Sequence, residues 1–228
     1  MIVLAGPSIG PHSHFGVYTD GSDLYTRLLE GTPEGPGRTV EARDGHTYRS
    51  FAPTATKLSA MIKVGMKQWP FREDSRVLYL GAAAGTTVSF VSDICPEGQV
   101  YAVEFAPEPF RKLVEMARER PNVVPILADA RNPSAYTVQV GAPVDVLYQD
   151  VAQRDQWEIA ERNAKALLAP DGTLILVVKA RSIDVSKPAS RIFRTVQELA
   201  VAGNFDVVEV LDLGAYDRDH AVLVSRRR

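Results

Sequence analysis

The sequence predicts an α/β protein with a Rossmann-like, mostly parallel sheet, helices on both faces, an antiparallel C-terminal strand pair and a small N-terminal β module. Three observations support this prediction. From residue 77 onward, short apolar segments of strand type alternate with amphipathic segments of helical spacing. The last two apolar segments follow each other with no helical segment between them. Residues 1–55 instead combine clustered glycine and proline with short alternating stretches.

We expect residues 1–55 to form an antiparallel module that packs on the main domain, residues 56–228, and does not fold by itself. The stretch TVEARDGHTYRS alternates around Asp44-Gly45, which predicts a β-hairpin. His12, His14 and His46 also lie in this module, but no acidic or cysteine ligand accompanies the His-x-His pair. We therefore expect surface histidines and no metal site.

The first helix is predicted over residues 54–69, because apolar side chains recur at helical spacing in TATKLSAMIKVGMKQW. Either Thr54 or Thr56 is expected to cap its N-terminus, and Trp69-Pro70 is expected to end it.

Repeated strand–helix units follow this helix. The predicted strands are 77–80, 99–105, 122–129, 144–150, 173–180, 205–213 and 220–227. The predicted helices are 86–94, 107–121, 156–169 and 189–202, with a short helix or turn near 132–138 and a turn at 170–172. Since parallel neighbours need a crossover connection, this order predicts a parallel sheet that ends in an antiparallel pair. By fold analogy, that is the architecture of class I methyltransferases.

The composition argues against a membrane or a disulfide-rich secreted protein. The longest apolar runs are far too short to span a bilayer, and the first residues lack the basic segment of a signal peptide. Cys95 is the only cysteine, so we expect it to be a small apolar residue near a helix end. A reducing cytoplasm is the expected location.

The charge balance bears on nucleic-acid binding. The net charge is −2, from 26 basic and 28 acidic residues. A protein that holds a long nucleic acid alone usually carries a basic surplus. If the substrate is nucleic acid, binding should depend on partners or on a local patch such as SRRR at residues 225–228.

Residues 77–94, VLYLGAAAGTTVSFVSDI, combine a strand, a small-residue turn and a helix. Open α/β folds bind nucleotide-like ligands at such a turn, beyond the strand and at the helix N-terminus. The same pattern also occurs as a plain packing turn. Its sequence, G-A-A-A-G, lacks the G-x-G-x-x-G spacing and argues against a dinucleotide.

Acidic residues end three successive predicted strands: Glu104, Asp129 and Asp150. Glu104 can accept both hydroxyls of a ribose, Phe105 can cover an adenine face, and Asp129 can meet the adenine amino group. Each carboxylate alone is more often a cap for the following turn. Three together favour a ligand site, and S-adenosylmethionine fits better than NAD because it needs no pyrophosphate cradle.

Several segments in order resemble fibrillarin in its archaeal form: GAAAGTTVSFVSDI, VYAVEFAPE, DARNP, QDVAQ, VVKA and DRDHAVLV. The resemblance covers essentially the whole chain. It implies a class I, S-adenosylmethionine-dependent ribose 2′-O-methyltransferase of box C/D ribonucleoproteins, acting on rRNA and tRNA. The glycine/arginine-rich tail of eukaryotic fibrillarins is missing.

The resemblance also implies the site residues. The implied cofactor-binding residues are Gly81, Ala83, Thr86, Thr87, Glu104, Phe105, Asp129, Ala130, Asp150, Val151, Ala152 and Gln153. The implied catalytic residues are Lys57, Asp150, Lys179 and His220.

The chain departs from the family pattern in a few places. The stretch FAPTAT before Lys57 replaces a sequence of the W-D-P-x-R-S type, so Lys63 and Lys67 are alternatives to Lys57. Elsewhere, Phe90 replaces a histidine of the family, Ala84 replaces a serine, and Gln149 replaces an alanine.

The implied catalytic set suits the reaction. A ribose 2′-hydroxyl is a poor nucleophile until its proton leaves, and the methyl donor must lie in line with it. We expect Asp150 to orient the cluster, the lysines to stabilise negative charge on the oxygen, and His220 to orient or relay. Lys57, Lys179 or Asp150 would take the proton. The structural alternative for Lys179 and His220 is a plain position at a strand end.

The resemblance implies three kinds of partner and no membrane. They are a box C/D guide RNA with its target rRNA or tRNA, a Nop-domain scaffold protein, and a kink-turn-binding ribosomal-type protein. Two alternatives stay open. One is a methyltransferase on another target, such as protein glutamine or unguided RNA, and the other is a non-catalytic ribonucleoprotein subunit.

Overall fold

The computed structural model describes residues 6–33, 35 and 37–228. Residues 1–5, Glu34 and Pro36 lie outside the described residues. Residues 1–5 belong to the predicted N-terminal module and to the N-terminal segment that was compared above with a signal peptide. The described part of the chain forms one sheet of five strands and one of seven.

The five-stranded sheet is built from residues of the N-terminal module. Its strands are β1 (Gly10–Pro11), β2 (Val17–Thr19), β3 (Leu24–Arg27), β4 (Thr39–Glu41) and β5 (Thr47–Ser50). Their order is β1-β2-β3-β5-β4, and every neighbouring pair is antiparallel. The predicted hairpin is confirmed: β4 pairs with β5, and Gly45 between them has a φ of +81°, which favours glycine.

Helix α1 spans Lys57–Lys63 and begins at the predicted cap, because the Thr56 side chain accepts a hydrogen bond from the Ser59 amide. The prediction that this helix continues to Trp69 is wrong. Gly65 adopts a left-handed φ of +96°, and the amide of Met66 turns back to the Met61 carbonyl at 3.0 Å. These are features of a helix C-terminus.

The seven-stranded sheet and its helices follow. The strands are β6 (Arg76–Leu80), β7 (Gln99–Glu104), β8 (Val123–Leu127), β9 (Val144–Gln149), β10 (Leu168–Lys179), β11 (Phe205–Asp212) and β12 (His220–Arg227). The helices are α2 (Thr86–Ile94), α3 (Pro107–Arg118), α4 (Thr137–Val140), α5 (Gln156–Leu167), α6 (Ala180–Ile183) and α7 (Ala189–Ala202), with a 3₁₀ turn at Pro133–Ala135.

The order of this sheet is β11-β12-β10-β9-β6-β7-β8. The strands from β10 to β8 are parallel, whereas β12 is antiparallel to both of its neighbours. The predicted parallel sheet with an antiparallel C-terminal pair is therefore confirmed. None of the described helices is long and apolar enough to cross a membrane.

Helices cover both faces of the large sheet. Successive side chains of a strand point to opposite faces. Accordingly, Val77 and Tyr79 of β6 lie in one buried cluster with residues of α1, α2 and α3. Leu78 and Leu80 lie in a second cluster with residues of α4, α5 and α7. This two-sided core holds the carboxyl ends of the parallel strands in place.

Two local features differ from the sequence predictions. The turn predicted at residues 170–172 lies inside β10, where Asp171 has a φ of +63° and the pairing with β9 is irregular between Leu168 and Thr173. Helix α6 was not predicted. It is a single turn that begins directly after β10, and a segment this short carries no periodic signal.

The small sheet shares its core and a buried ionic group with the large one. Val17, Leu24 and Phe51 belong to the buried cluster that contains α1 and α2. Between the two sheets, the Asp93 carboxylate accepts from Arg49 Nε at 2.9 Å and from Arg120 Nη1 at 2.6 Å. These three side chains, here called the buried node, are 0–2% exposed.

Three residues discussed in the sequence analysis, Cys95, Phe90 and His14, make contacts outside the predicted site. Cys95 is buried at the C-terminal end of α2, as expected, and burial raises the pKa of its thiol to about 12. Phe90 packs 4.8 Å from the Phe51 ring, with the Arg49 guanidinium 4.2 Å from its ring centre. In the module, His14 Nε2 donates to the Met66 carbonyl at 2.8 Å.

Candidate active site

The sheet brings the predicted site residues to one edge. Four neighbouring parallel strands, in the order β9-β6-β7-β8, lead directly into Asp150, Gly81, Glu104-Phe105 and the loop with Asp129. The chain leaves β6 toward β7 on one side, while β9 lies on the other. This is the topological switch point where open α/β sheets bind ligands.

The turn after β6 is closely packed against the end of β9. The Asp150 amide donates to the Leu80 carbonyl at 2.9 Å. Gly81 has a φ of +81°, and a Cβ atom there would lie 2.9 Å from the Asp150 carbonyl oxygen. A side chain at this position would therefore separate the two strand ends. Ala83 lies exposed in the turn, and Thr86 and Thr87 begin α2 after Gly85.

Glu104 is buried and held by two backbone amides. Its Oε2 accepts from the Ala83 amide at 2.9 Å, and its Oε1 accepts from the Ala106 amide at 2.8 Å. Each carboxylate oxygen retains a second lone pair. Phe105, the next residue, is 59% exposed. The pair thus offers an oriented acceptor beside an open aromatic surface.

Asp129 has a more local role in this structure. Its Oδ1 accepts from the Arg131 amide at 2.9 Å, and its Oδ2 lies 3.8 Å from Arg131 Nη1. The carboxylate thus stabilises its own turn, while Ala130 beside it is buried. The side chain is half exposed, so its outer lone pairs face solvent.

A glutamine that the sequence analysis did not single out, Gln156, connects two parts of the site. Its Oε1 accepts from the Lys179 amide at 3.0 Å, and its Nε2 donates to the Gln153 carbonyl at 2.8 Å. Gln149, which replaces an alanine of the family, is fully buried and donates to the Gln156 carbonyl at 2.6 Å. These bonds fix the loop of Asp150, Val151, Ala152 and Gln153 relative to Lys179.

The structure brings the predicted catalytic lysines and aspartate together. Lys57 Nζ lies 3.2 Å from Asp150 Oδ2, and Lys179 Nζ lies 2.9 Å from Asp150 Oδ1. Lys179 Nζ also donates to the Asp150 carbonyl at 2.9 Å. The three side chains are 14–22% exposed.

Neither of the two alternative lysines has an ion pair with Asp150 in the part of the chain that the structure describes. Lys63 Nζ donates to the Ser22 carbonyl at 2.7 Å, and the Lys67 backbone amide donates to Glu209 at 2.9 Å. Lys57 is therefore the one of the three that contacts Asp150. It occupies the first position of α1, directly after the Thr56 cap.

His220 joins the cluster through a second carboxylate, which the sequence analysis missed. His220 lies opposite Lys179 in the β10–β12 pairing. Its Nδ1 is 2.9 Å from Asp217 Oδ1, and Asp217 Oδ2 is 3.5 Å from Lys57 Nζ. The only sequence signal for Asp217 is its place in the stretch DRDHAVLV.

Neutral tyrosines lie near this cluster. The Tyr79 and Tyr148 rings stack with centroids 4.6 Å apart, and both are buried. Burial raises the pKa of both phenols well above the usual value, and the charge of Asp150 adds to the shift. The two phenols therefore add no negative charge to the cluster.

Two proteins of similar sequence are named fibrillarin-like rRNA/tRNA 2′-O-methyltransferase. The one from Methanopyrus kandleri is 45% identical over 225 residues, which cover 95% of this chain and 96% of the relative. The one from Saccharolobus solfataricus is 44% identical over 211 residues, which cover 92% of this chain and 90% of the relative.

Three solved structures resemble the whole fold. Methanococcus jannaschii fibrillarin, described as a pre-rRNA processing protein, matches with a TM-score of 0.89 at 38% identity, covering 96% of this chain and 97% of its own. Aeropyrum pernix fibrillarin with natively bound S-adenosyl-L-methionine matches at 0.86 and 38% identity, with coverage of 96% and 98%. A fibrillarin/Nop5p complex matches at 0.85 and 40% identity, with coverage of 96% and 100%.

The family model agrees with these likenesses. The model described as fibrillarin matches residues 11–228, which include the large sheet, the small sheet apart from Gly10, and every residue of the site. This chain belongs to the fibrillarin family.

Proposed function

We propose that this chain is the catalytic subunit of a guide-RNA-directed enzyme that methylates ribose 2′-hydroxyls of rRNA and tRNA. The observation that carries the proposal is the contact of Asp150 with both Lys57 and Lys179, at the sheet edge that also carries Glu104. The two relatives named as rRNA/tRNA 2′-O-methyltransferases support the choice of substrate.

The site has the features that S-adenosylmethionine requires. The backbone at Gly81 leaves a space that a Cβ atom would fill, and Glu104 presents oriented acceptor lone pairs beside exposed Phe105. We assign the ribose hydroxyls to Glu104, the adenine to Phe105 and Asp129-Ala130, and the remaining contacts to the turns around Thr86-Thr87 and Asp150–Gln153. When bound, this cofactor supplies the methyl group. The Aeropyrum pernix fibrillarin structure with bound S-adenosyl-L-methionine supports the choice of cofactor.

The chain's own residues handle the proton and the charge of the 2′-hydroxyl. Asp150 fixes the positions of both ammonium groups, since each of its carboxylate oxygens meets one lysine. An ammonium group near the 2′-oxygen stabilises the negative charge that develops as the proton leaves. A neutral Lys57 or Lys179, or Asp150, accepts that proton, and His220 orients or relays. Positioned acid–base groups contribute roughly 10²–10⁴ in rate.

Substrate choice requires partners. With a net charge of −2, the chain lacks the basic surplus of a protein that holds RNA alone. We propose that a box C/D guide RNA selects the target, and that a Nop-domain scaffold and a kink-turn-binding ribosomal-type protein hold it at the site. The fibrillarin/Nop5p complex supports the scaffold. We also propose a cytoplasmic location, which a chain with a single, buried cysteine suits.

We also propose that residues 1–55 and 56–228 form two structural modules that fold together. The shared core around Phe51 and the contacts of Thr26 and Arg49 with Asp93 support this. Residues 56–228 expressed alone should then be insoluble or should lack a cooperative thermal transition. A soluble, cooperative and S-adenosylmethionine-binding fragment would contradict the proposal.

The function is tested by transfer of a labelled methyl group from S-adenosylmethionine to a target RNA. The chain is assayed alone and then with scaffold, kink-turn protein and guide RNA. A matched target with a single 2′-deoxy nucleotide at the guided position serves as the control. We expect transfer only in the full assembly, and none to the 2′-deoxy target.

Other outcomes point to the alternative functions. Transfer to the RNA without guide would indicate an unguided methyltransferase, and label on a protein glutamine would indicate a protein substrate. Cofactor binding with no transfer to any target would indicate a non-catalytic subunit. Each of these results would contradict the proposed function.

A further inference from the structure

The loop between β11 and β12 carries a carboxylate, Asp217, that the roles above do not use. The loop is well fixed at its base. The Asp217 amide donates to the Leu213 carbonyl at 2.7 Å, and the Leu213 amide donates to the His220 carbonyl at 3.0 Å. On its other side, the Ala180 amide donates to the Asp219 carbonyl at 3.1 Å. The loop therefore presents Asp217 from a defined position.

The two oxygens of Asp217 contact two different members of the catalytic set. Oδ1 lies 2.9 Å from His220 Nδ1, and Oδ2 lies 3.5 Å from Lys57 Nζ. Lys57 in turn meets Asp150, and Asp150 meets Lys179. Basic and acidic side chains thus alternate along one continuous series: Lys179, Asp150, Lys57, Asp217 and His220.

The contacts of His220 define which ring nitrogen carries hydrogen. Nδ1 lies 2.9 Å from the Asp217 carboxylate and 2.8 Å from the Arg218 carbonyl oxygen. Both partners only accept hydrogen bonds, so Nδ1 must be the donor. In the neutral ring, the lone pair is then on Nε2. Carboxylates that bind one imidazole nitrogen commonly fix the tautomer and the ring orientation in this way.

We propose that Asp217 is a positioning residue for methyl transfer, which holds the Lys57 ammonium and the His220 imidazole in place relative to Asp150. This inference rests on the methyltransferase function proposed above. Without Asp217, Lys57 keeps only Asp150, which it shares with Lys179, and the His220 ring loses one of its two acceptors. Small displacements of reacting groups cost up to about 10²-fold in rate, so we expect a loss of about 10- to 100-fold.

The test compares Asp217→Ala, Asp217→Asn and Asp217→Glu in the full chain, assembled with scaffold, kink-turn protein and guide RNA. The measurements are single-turnover methyl transfer, KM for the target RNA, and the Kd of S-adenosylmethionine. We expect kcat to fall about 10- to 100-fold in the alanine variant, with KM and Kd unchanged. Asp217→Glu should recover part of the rate, and Asp217→Asn should recover less because it lacks the charge that pairs with Lys57.

Asp219→Asn is the matched control. It removes one negative charge from the same loop, and asparagine tolerates the left-handed φ of +61° at this position. The Asp219 side chain pairs with Arg181 at 2.9 Å and, among the residues that the structure describes, forms no ion pair or hydrogen bond with the side chains of that series. This variant should transfer methyl groups at the wild-type rate.

Two further measurements separate positioning from a general effect on structure. Relative to the wild type, the rate loss of the double variant Asp217→Ala/His220→Ala should be smaller than the product of the two single-variant losses. In the free chain, ¹⁵N NMR should show the Nδ1–H tautomer of His220 in the wild type. In Asp217→Ala only the Arg218 carbonyl still accepts from Nδ1, so the fraction of this tautomer should be lower.

Three results would overturn the inference: a wild-type kcat in Asp217→Ala, an equal loss in Asp219→Asn, or an Nε2–H tautomer in the wild-type chain. The NMR result does not depend on methyl transfer. An assembly in which the wild-type chain transfers nothing would instead contradict the proposed function.

Discussion

Two carboxylates in this chain each lie between two cationic side chains, but in opposite surroundings. Asp93 meets Arg49 and Arg120 in the buried node, where the side chains are 0–2% exposed. Asp150 meets Lys57 and Lys179 at the edge of the sheet, where the side chains are 14–22% exposed. The charge pattern is the same, so burial and the type of cation must account for any difference in role.

We interpret the difference as that between a structural anchor and the proposed reactive site. A guanidinium is a rigid planar donor that suits a fixed geometry, whereas an ammonium is a compact charge on a flexible stem that can turn toward a substrate. Burial lowers the pKa of Arg49, but its contact with Asp93 opposes the shift and favours the charged form. The buried node thus holds the two sheets together in a fixed geometry. The lysines around Asp150 remain partly accessible to solvent, and therefore to the proposed substrate.

The largest effect should come from breaking the buried node. Asp93→Asn removes the charge between two buried guanidinium groups, which should lower the free energy of unfolding by about 3–5 kcal/mol. Urea denaturation monitored by circular dichroism measures this change. Asp150→Asn is the matched substitution at the sheet edge and should cost less, because the two flexible lysines can turn their ammonium groups toward solvent. Equal losses in the two variants would refute the distinction drawn here.

The next prediction concerns the catalytic activity of the cluster at the sheet edge, in contrast to the stability of the buried node. Lys179→Ala should slow methyl transfer at least about 10²-fold, because it removes one of the two cations on Asp150. The melting temperature should change little, since the side chain is partly exposed. Lys165→Ala, at an exposed ion pair on α5, is the control and should transfer at the wild-type rate. Wild-type transfer by Lys179→Ala would remove this lysine from the catalytic set.

A smaller effect is expected at Glu104, a buried carboxylate to which we assign a ligand and not another charged side chain. Glu104→Gln should weaken S-adenosylmethionine binding by about 1.5–3 kcal/mol, the usual worth of hydrogen bonds to a charged group. Isothermal titration calorimetry measures the Kd. Glu108→Gln, in the first turn of α3, is the control. An unchanged Kd for Glu104→Gln would argue against the ribose assignment.

The smallest expected effect lies at the start of the helix that presents Lys57. Thr56→Ala removes the N-cap of α1 and should lower stability by about 1 kcal/mol. Thr56→Ser keeps the capping oxygen and should remain close to the wild type. Thermal unfolding of both variants measures the difference, and equal melting temperatures would exclude a capping contribution.

The sequence was most informative where chemistry follows strand ends. Glu104, Asp129, Asp150 and Lys179 could be placed because alternating strands and helices bring all carboxyl ends of a parallel sheet to one edge. The predicted bounds of α2 and α7 match the structure, since small-residue turns or prolines flank a periodic pattern in both.

The sequence was least informative where a contact depends on packing between distant segments. Asp217 and Gln156 are polar residues in or near loops, and nothing in their local pattern specifies which groups they meet. The sequence predicts too long an α1, because Met66 continues the apolar spacing although Gly65 has already turned the chain. In β10, Asp171 reads as a turn residue, yet the strand continues through it.

The position of β12 has a consequence for folding. It is the last strand along the chain, but it lies between β10 and β11 and supplies the pairing that holds β11 in the sheet. During synthesis, β10 and β11 emerge before their common partner exists, so one edge of the nascent sheet stays open. His220 begins β12 and arrives with that strand. A nascent chain should therefore lack His220 beside Lys179 until both β10 and β11 have been synthesised.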